Sequence, residues 1–151
     1  MTTQHFPRRL ASATIALTFA VTACGSDDNT LSKSEYQKSA NAVCAKAETQ
    51  LEPIFGEIFP KLDTATEAER KTATDDLLKV LTKEIDDLAA LEPPASIADD
   101  VDAMLASVRK AEGVVREQGA GFWLEESDPF GEVNQLAAGL GLDACAGDSS
   151  E

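Results

Sequence analysis

Histidine occurs once in this 151-residue chain, at position 5, and tryptophan and tyrosine occur once each. Basic residues are also scarce, 13 against 27 acidic, for a net charge of −14. A chain this acidic repels nucleic acid and anionic lipid headgroups, so neither is an expected partner. Beyond position 5 a Ser-His-Asp set and a histidine metal site are excluded by composition. The G-x-S-x-G elbow, the phosphate loop and the dinucleotide fingerprint are missing too. Alternating apolar runs bounded by turn residues are absent, so no segment reads as a strand. No cofactor is implied.

Cysteine is also rare, with three in the chain. The first, Cys24, closes a distinctive stretch. Arg8 and Arg9 precede the uncharged, largely apolar run LASATIALTFAVTA, residues 10–23. That run is too short to span a bilayer, which takes about 20 residues. A positive start, a short apolar stretch and small residues before a break spell a secretory signal, residues 1–23. A buried helix of the folded domain fits less well, because polar and acidic sequence follows at once. Val21-Thr22-Ala23-Cys24 resembles the bacterial lipobox. That resemblance implies cleavage before Cys24 and a diacylglycerol on its sulfur. Ordinary cleavage after Ala23 is the alternative, and it would leave a free N-terminal thiol. The twin-arginine motif is incomplete around Arg8-Arg9.

Removing residues 1–23 leaves 128 of the 151 residues, and takes Arg8 and Arg9 from the 13 basic residues. The remaining 11 basic and 27 acidic residues give −16. Membrane attachment then depends on acyl chains, of which two or more anchor stably. Residues 24–31 read as the lipidated cysteine and a flexible tether.

Helix signals begin at Leu31. Ser32 and Glu35 form a capping box, and Leu31 with Tyr36 a hydrophobic staple. Tyr36, Ala40, Val43, Ala47 and Leu51 line one face. Pro53 kinks this helix, but Ile54, Phe55, Ile58 and Phe59 keep its phase to about Pro60. A second helix starts at Thr64 or Thr66, buries Leu77, Leu78, Leu81, Ile85 and Leu88, and stops at Pro93-Pro94. A third runs from about Ser96 to Gly119, with Ile97, Val101, Met104, Leu105, Val108 and Val115 inward. Asp128 caps a last short helix with Pro129 at its first position. Val133, Leu136, Ala137 and Leu140 form that helix's inner face, and Gly141 is its left-handed stop. The expected fold is therefore all-α: an antiparallel bundle of about four helices spanning residues 32–145, closed by one disulfide. Residues 146–151 read as a disordered tail.

With Cys24 assigned to lipid, Cys44 and Cys145 remain, in a compartment where disulfides persist. At 1.5 Å per residue, Cys44 lies about 18 Å from the start of its helix. The third helix, about 33 Å long, carries the chain to the far end, and a last helix of about 16 Å returns it part-way. Cys145 then stands near the height of Cys44. A redox-active pair would more often be closely spaced, as C-x-x-C. Tyr36-Gln37-Lys38-Ser39-Ala40-Asn41-Ala42-Val43-Cys44 resembles the opening of small actinobacterial secreted proteins and lipoproteins with a Y-x-x-x-A-x-x-x-C helix. Asn134-Gln135-Leu136-Ala137 and Gly141-Leu142-Asp143-Ala144-Cys145 resemble their N-x-L-A…G-L-x-x-C ending. Leu88, Leu91 and Pro93-Pro94 fit their middle. The resemblance implies the same fold, export and cysteine pairing, and brings no catalytic residue with it.

The acids occur as adjacent pairs, Asp75-Asp76, Asp86-Asp87, Asp99-Asp100 and Glu125-Glu126. Helical neighbours diverge by about 100°, so these read as solvated faces rather than acid–base pairs. Asp99, Asp100 and Asp102 lack the calcium-loop pattern, and no metal site is assigned. Phe122, Trp123, Leu124 and Phe130 interrupt the helical pattern. They form either a plug over the end of the core or a partly exposed patch for an envelope protein or apolar ligand. The expectation is a lipid-anchored, non-enzymatic binding module on the extracytoplasmic face of the bacterial membrane, held there through lipid on Cys24. A carrier of a small apolar ligand or lipid is the alternative within that class, and a carboxylate-based envelope enzyme lies outside it.

Overall fold

Four helices account for most of the computed structural model, which describes residues 31–147. They are α1 (Lys33–Ile58), α2 (Glu67–Ala89), α3 (Ala98–Gln118) and α4 (Gly131–Leu140). Short 3-10 segments, Phe59–Lys61 and Gly119–Leu124, follow α1 and α3. No strand occurs among the described residues. The expected signal, Cys24, residues 25–30 and residues 148–151 lie outside them.

Local chemistry sets the helix ends. The Ser32 hydroxyl accepts from the Glu35 amide at 3.3 Å, and the Glu35 carboxylate accepts from the Ser32 amide at 3.0 Å. The same reciprocal pair links Thr66 and Glu69, at 3.3 and 2.8 Å, and fixes Thr66 rather than Thr64 as the cap of α2. α1 continues through Pro53, whose missing donor falls on the exposed side. α4 ends in a Schellman motif. Gly141 sits at φ 73°, the Leu142 amide donates to Ala137 O at 2.9 Å, and the Gly141 amide donates to Ala138 O at 3.0 Å.

Two expected starts are corrected. α4 begins at Gly131, capped by the backbone of Phe130 and by no side chain. Asp128 instead accepts from the Phe130 amide at 2.9 Å, a local turn that competes with capping the helix. α3 is preceded by Ile97, also without a side-chain cap, and Ser96 lies in the turn before it.

The helices run up and down, with α1 packed on α2, α2 on α3 and α3 on α4. One core cluster gathers Tyr36, Ala40, Cys44, Val101, Met104 and Leu142, and a second gathers Ile58, Leu77, Leu81, Val115 and Trp123. Ile85, Val108, Ala111 and Val133 form a third. Tyr36, Ala40 and Cys44 recur every four residues and are fully or almost fully buried, which is why the Y-x-x-x-A-x-x-x-C spacing makes one packed stripe. Cys44 and Cys145 are joined by a disulfide, their Cα atoms 5.1 Å apart. The packing continues past Cys145, since Ala146 is buried and its amide donates to Leu142 O at 3.1 Å.

Candidate functional site: an apolar groove holding one carboxylate

α4 has 10 residues and α1 has 26, so at 1.5 Å per residue they span about 15 and 39 Å. A helix that short covers only part of the layer beneath it. α1 meets α4 through its C-terminal stop: Gln37 Nε2 donates to Leu140 O at 2.7 Å, and Asn41 Nδ2 to Gly141 O at 3.3 Å. Asn41 Oδ1 accepts from the Ala144 amide at 2.9 Å. Beyond this clamp the second half of α1 and the start of α4 do not close on each other.

A groove of about 660 Å³ lies between them. Its floor comes from Leu77, Leu81 and Leu88 of α2 and Met104 and Val108 of α3. Its walls come from Ala47, Leu51 and Phe55 of α1 and from Phe130 and Val133. The Cys44–Cys145 disulfide lines it too. Such a volume falls within the range of small-molecule sites, about 300–1,000 Å³.

Glu84 stands in this floor. Leu77, Leu81, Glu84 and Leu88 are spaced 4, 3 and 4 apart, so one side of α2 presents three leucines and a carboxylate together. Burial pushes the Glu84 carboxyl up to about 7, because the charged form loses water there. No hydrogen bond or ion pair to the Glu84 side chain occurs among the described residues. Glu48 and Glu52 of α1 border the groove and are exposed, and α3 and α4 contribute no titratable group to it.

The anticipated aromatic residues are divided by the fold. Trp123 is 6% exposed. Its Nε1 donates to Thr74 Oγ1 at 2.9 Å and lies 3.1 Å from Arg70 O. The Thr74 hydroxyl in turn donates to Gly119 O at 3.0 Å. The indole packs edge-on to Phe55, Phe59 and Phe122, with centroids 5.9, 5.9 and 5.3 Å away. Phe55 and Phe59 stack on each other at 5.4 Å and also line the groove, so Trp123 buttresses its end from behind. Phe122 and Phe130 are half-buried, whereas Leu124 is 58% exposed and packs on none of the three core clusters.

Adjacent acids on the helices behave as solvated faces. Asp75, Asp76 and Asp87 pair with Lys71, Lys79 and Lys83 at 2.7, 2.8 and 2.7 Å, and Asp99, Asp100 and Asp102 are exposed. No group of three or more metal-ligating side chains forms among the described residues, and no described helix is long and apolar enough to cross a membrane. Sequence reasoning passed over Glu84 because it counted acids as neighbours along the chain. The 4-3-4 spacing with three leucines was the available signal. Comparison with protein families, curated proteins and solved structures finds no match for this chain.

Proposed function

We propose that this chain is a lipid-anchored protein of the extracytoplasmic face of the bacterial membrane, and that it binds a small apolar ligand without transforming it. The groove carries the reading: about 660 Å³ walled by leucine, valine, methionine and phenylalanine side chains is a costly surface to leave in water. Between a scaffold and a carrier, it favours the carrier. The described lining residues include no serine, threonine, tyrosine, lysine or histidine, and the two cysteines are bonded to each other. A nucleophile beside a base, the common core of covalent catalysis, is therefore not assembled around Glu84.

Anchoring rests on the resemblance of Val21-Thr22-Ala23-Cys24 to a lipobox and on the acidic chain, which needs acyl groups to stay on a membrane. Both halves are tested together. Cys24→Ser moves the protein out of the membrane fraction while leaving the helical circular dichroism unchanged. A neutral fluorescent naphthylamine binds saturably at one site per chain, and Leu51→Trp, which fills the groove, abolishes that binding. Persistence of the Cys24→Ser chain on membranes refutes the anchor, and dye binding untouched by Leu51→Trp refutes the carrier.

A further inference from the structure

The charges around the groove have one sign. Among the described lining residues Glu48, Glu52 and Glu84 are acidic, and none is basic. The other acids of α2 show what a structural carboxylate looks like here. Asp75, Asp76 and Asp87 each have a lysine three or four residues away on the same helix. Glu84 has Val80, Leu81, Asp87 and Leu88 at those positions, so no cation on its own helix reaches it. It sits between leucines instead, part-buried and without a partner.

Ligand chemistry follows from that imbalance. A neutral apolar molecule filling the groove removes water from Glu84 and supplies nothing in return. An anion meets three carboxylates. A cation compensates the buried charge, and an ammonium bearing hydrogens also donates to the carboxylate, the stronger class of hydrogen bond. Phe55, Phe59 and Phe130 border the same space, and aromatic rings attract a positive group placed over them. We infer that the groove takes an amphiphilic cation: an apolar body along the leucine and methionine floor, with one ammonium group seated against Glu84. The inference rests on the carrier reading and specifies its ligand.

A matched series tests it on the full Cys24→Ser chain, which has no acyl groups of its own to compete. The probes are decylammonium, decanol and decanoate, each below its micelle concentration, titrated calorimetrically at pH 8. Decylammonium binds at one per chain, and about tenfold more tightly than decanol, the equivalent of one charge-assisted contact. Decanoate binds weakest. Glu84→Gln removes the preference for the amine and leaves decanol binding in place. Glu48→Gln and Glu52→Gln, at the exposed border, lower amine affinity by less than about threefold, and salt erases their effect.

Equal binding of amine and alcohol by the unsubstituted chain overturns this inference alone and leaves the carrier reading standing. So does an amine preference that survives Glu84→Gln, which would assign it to the general negative field. Tighter binding of decanoate overturns it outright. Binding of none of the three, with the chain sedimenting as a dimer, overturns the inference and the carrier reading together, because the groove would then be filled by a second copy.

Discussion

Replacing Glu84 by glutamine should make the protein more stable at pH 8 and hardly change it at pH 4. The carboxyl is held at about 7 by burial, above the ordinary 4.5 of an unfolded chain. Between those values the folded state binds more protons than the unfolded state, so stability falls as pH rises. The loss begins near pH 4.5 and is complete above about 7. The gap between 4.5 and about 7, at about 1.4 kcal/mol per pKa unit, is about 3–4 kcal/mol. Glu84 keeps part of its surface in water, which trims the expected effect to ~1–3 kcal/mol. Glutamine keeps the shape and removes the charge. Glu35, Glu69 and Asp87 are held low by hydrogen bonds from Ser32, Thr66 and Lys83 respectively, and they tilt the pH profile the other way. Those groups are common to both chains and cancel in the difference. Urea unfolding from pH 4 to pH 8.5 therefore gives two curves that coincide in acid and separate through neutrality. A constant separation, or one that closes as pH rises, refutes the assignment of Glu84 as a desolvated, unpartnered carboxylate.

The Cys44–Cys145 bond spans 101 positions, for which the loop-entropy model gives about 4–5 kcal/mol; Cys44→Ala with Cys145→Ala should lower unfolding free energy by that order, and a loss under about 1 kcal/mol in urea titration counts against it. The Tyr36 side chain is 0% exposed and its hydroxyl has no partner among the described residues, so Tyr36→Phe should raise stability by about 1 kcal/mol, read as a higher melting temperature; a fall means the hydroxyl is bonded. Thr74→Val strips Trp123 of one acceptor and Gly119 O of its donor, and should cost about 1–3 kcal/mol, while the unsubstituted chain shows blue-shifted tryptophan emission that acrylamide barely quenches. Red-shifted, quenchable emission would place Trp123 in solvent and contradict the buttress.

Periodicity and end signals make the four helices legible in the amino-acid sequence alone. Both capping boxes, the Gly141 stop and the inner face of α3 follow from side chains acting within one or two turns of themselves. The cysteine pairing was legible because setting Cys24 aside leaves two cysteines, which the helix lengths bring to similar heights. The starts of α3 and α4 were not, since their first turns are held by backbone geometry and packing rather than by Ser96 or Asp128. The groove was hidden for a different reason. It is made by where α4 runs out relative to α1, a difference in reach that no local pattern encodes. Trp123 was visible as an anomaly, but its partners Thr74, Phe55 and Phe59 come from α2, α1 and the 3-10 turn after α1, and nothing in its own neighbourhood separates plug from patch.

The disulfide also decides how the molecule bears a pull. It joins the second quarter of α1 to the last few residues before the end of the chain. Tension applied to the two ends therefore crosses from Cys44 to Cys145 through sulfur and never enters the 100 residues between them. The first turns of α1 can unravel, giving up Gln37 and Asn41, while α2, α3 and the groove stay slack and folded. Pulled from outside the disulfide, the protein would extend at the start of α1 and keep its groove intact.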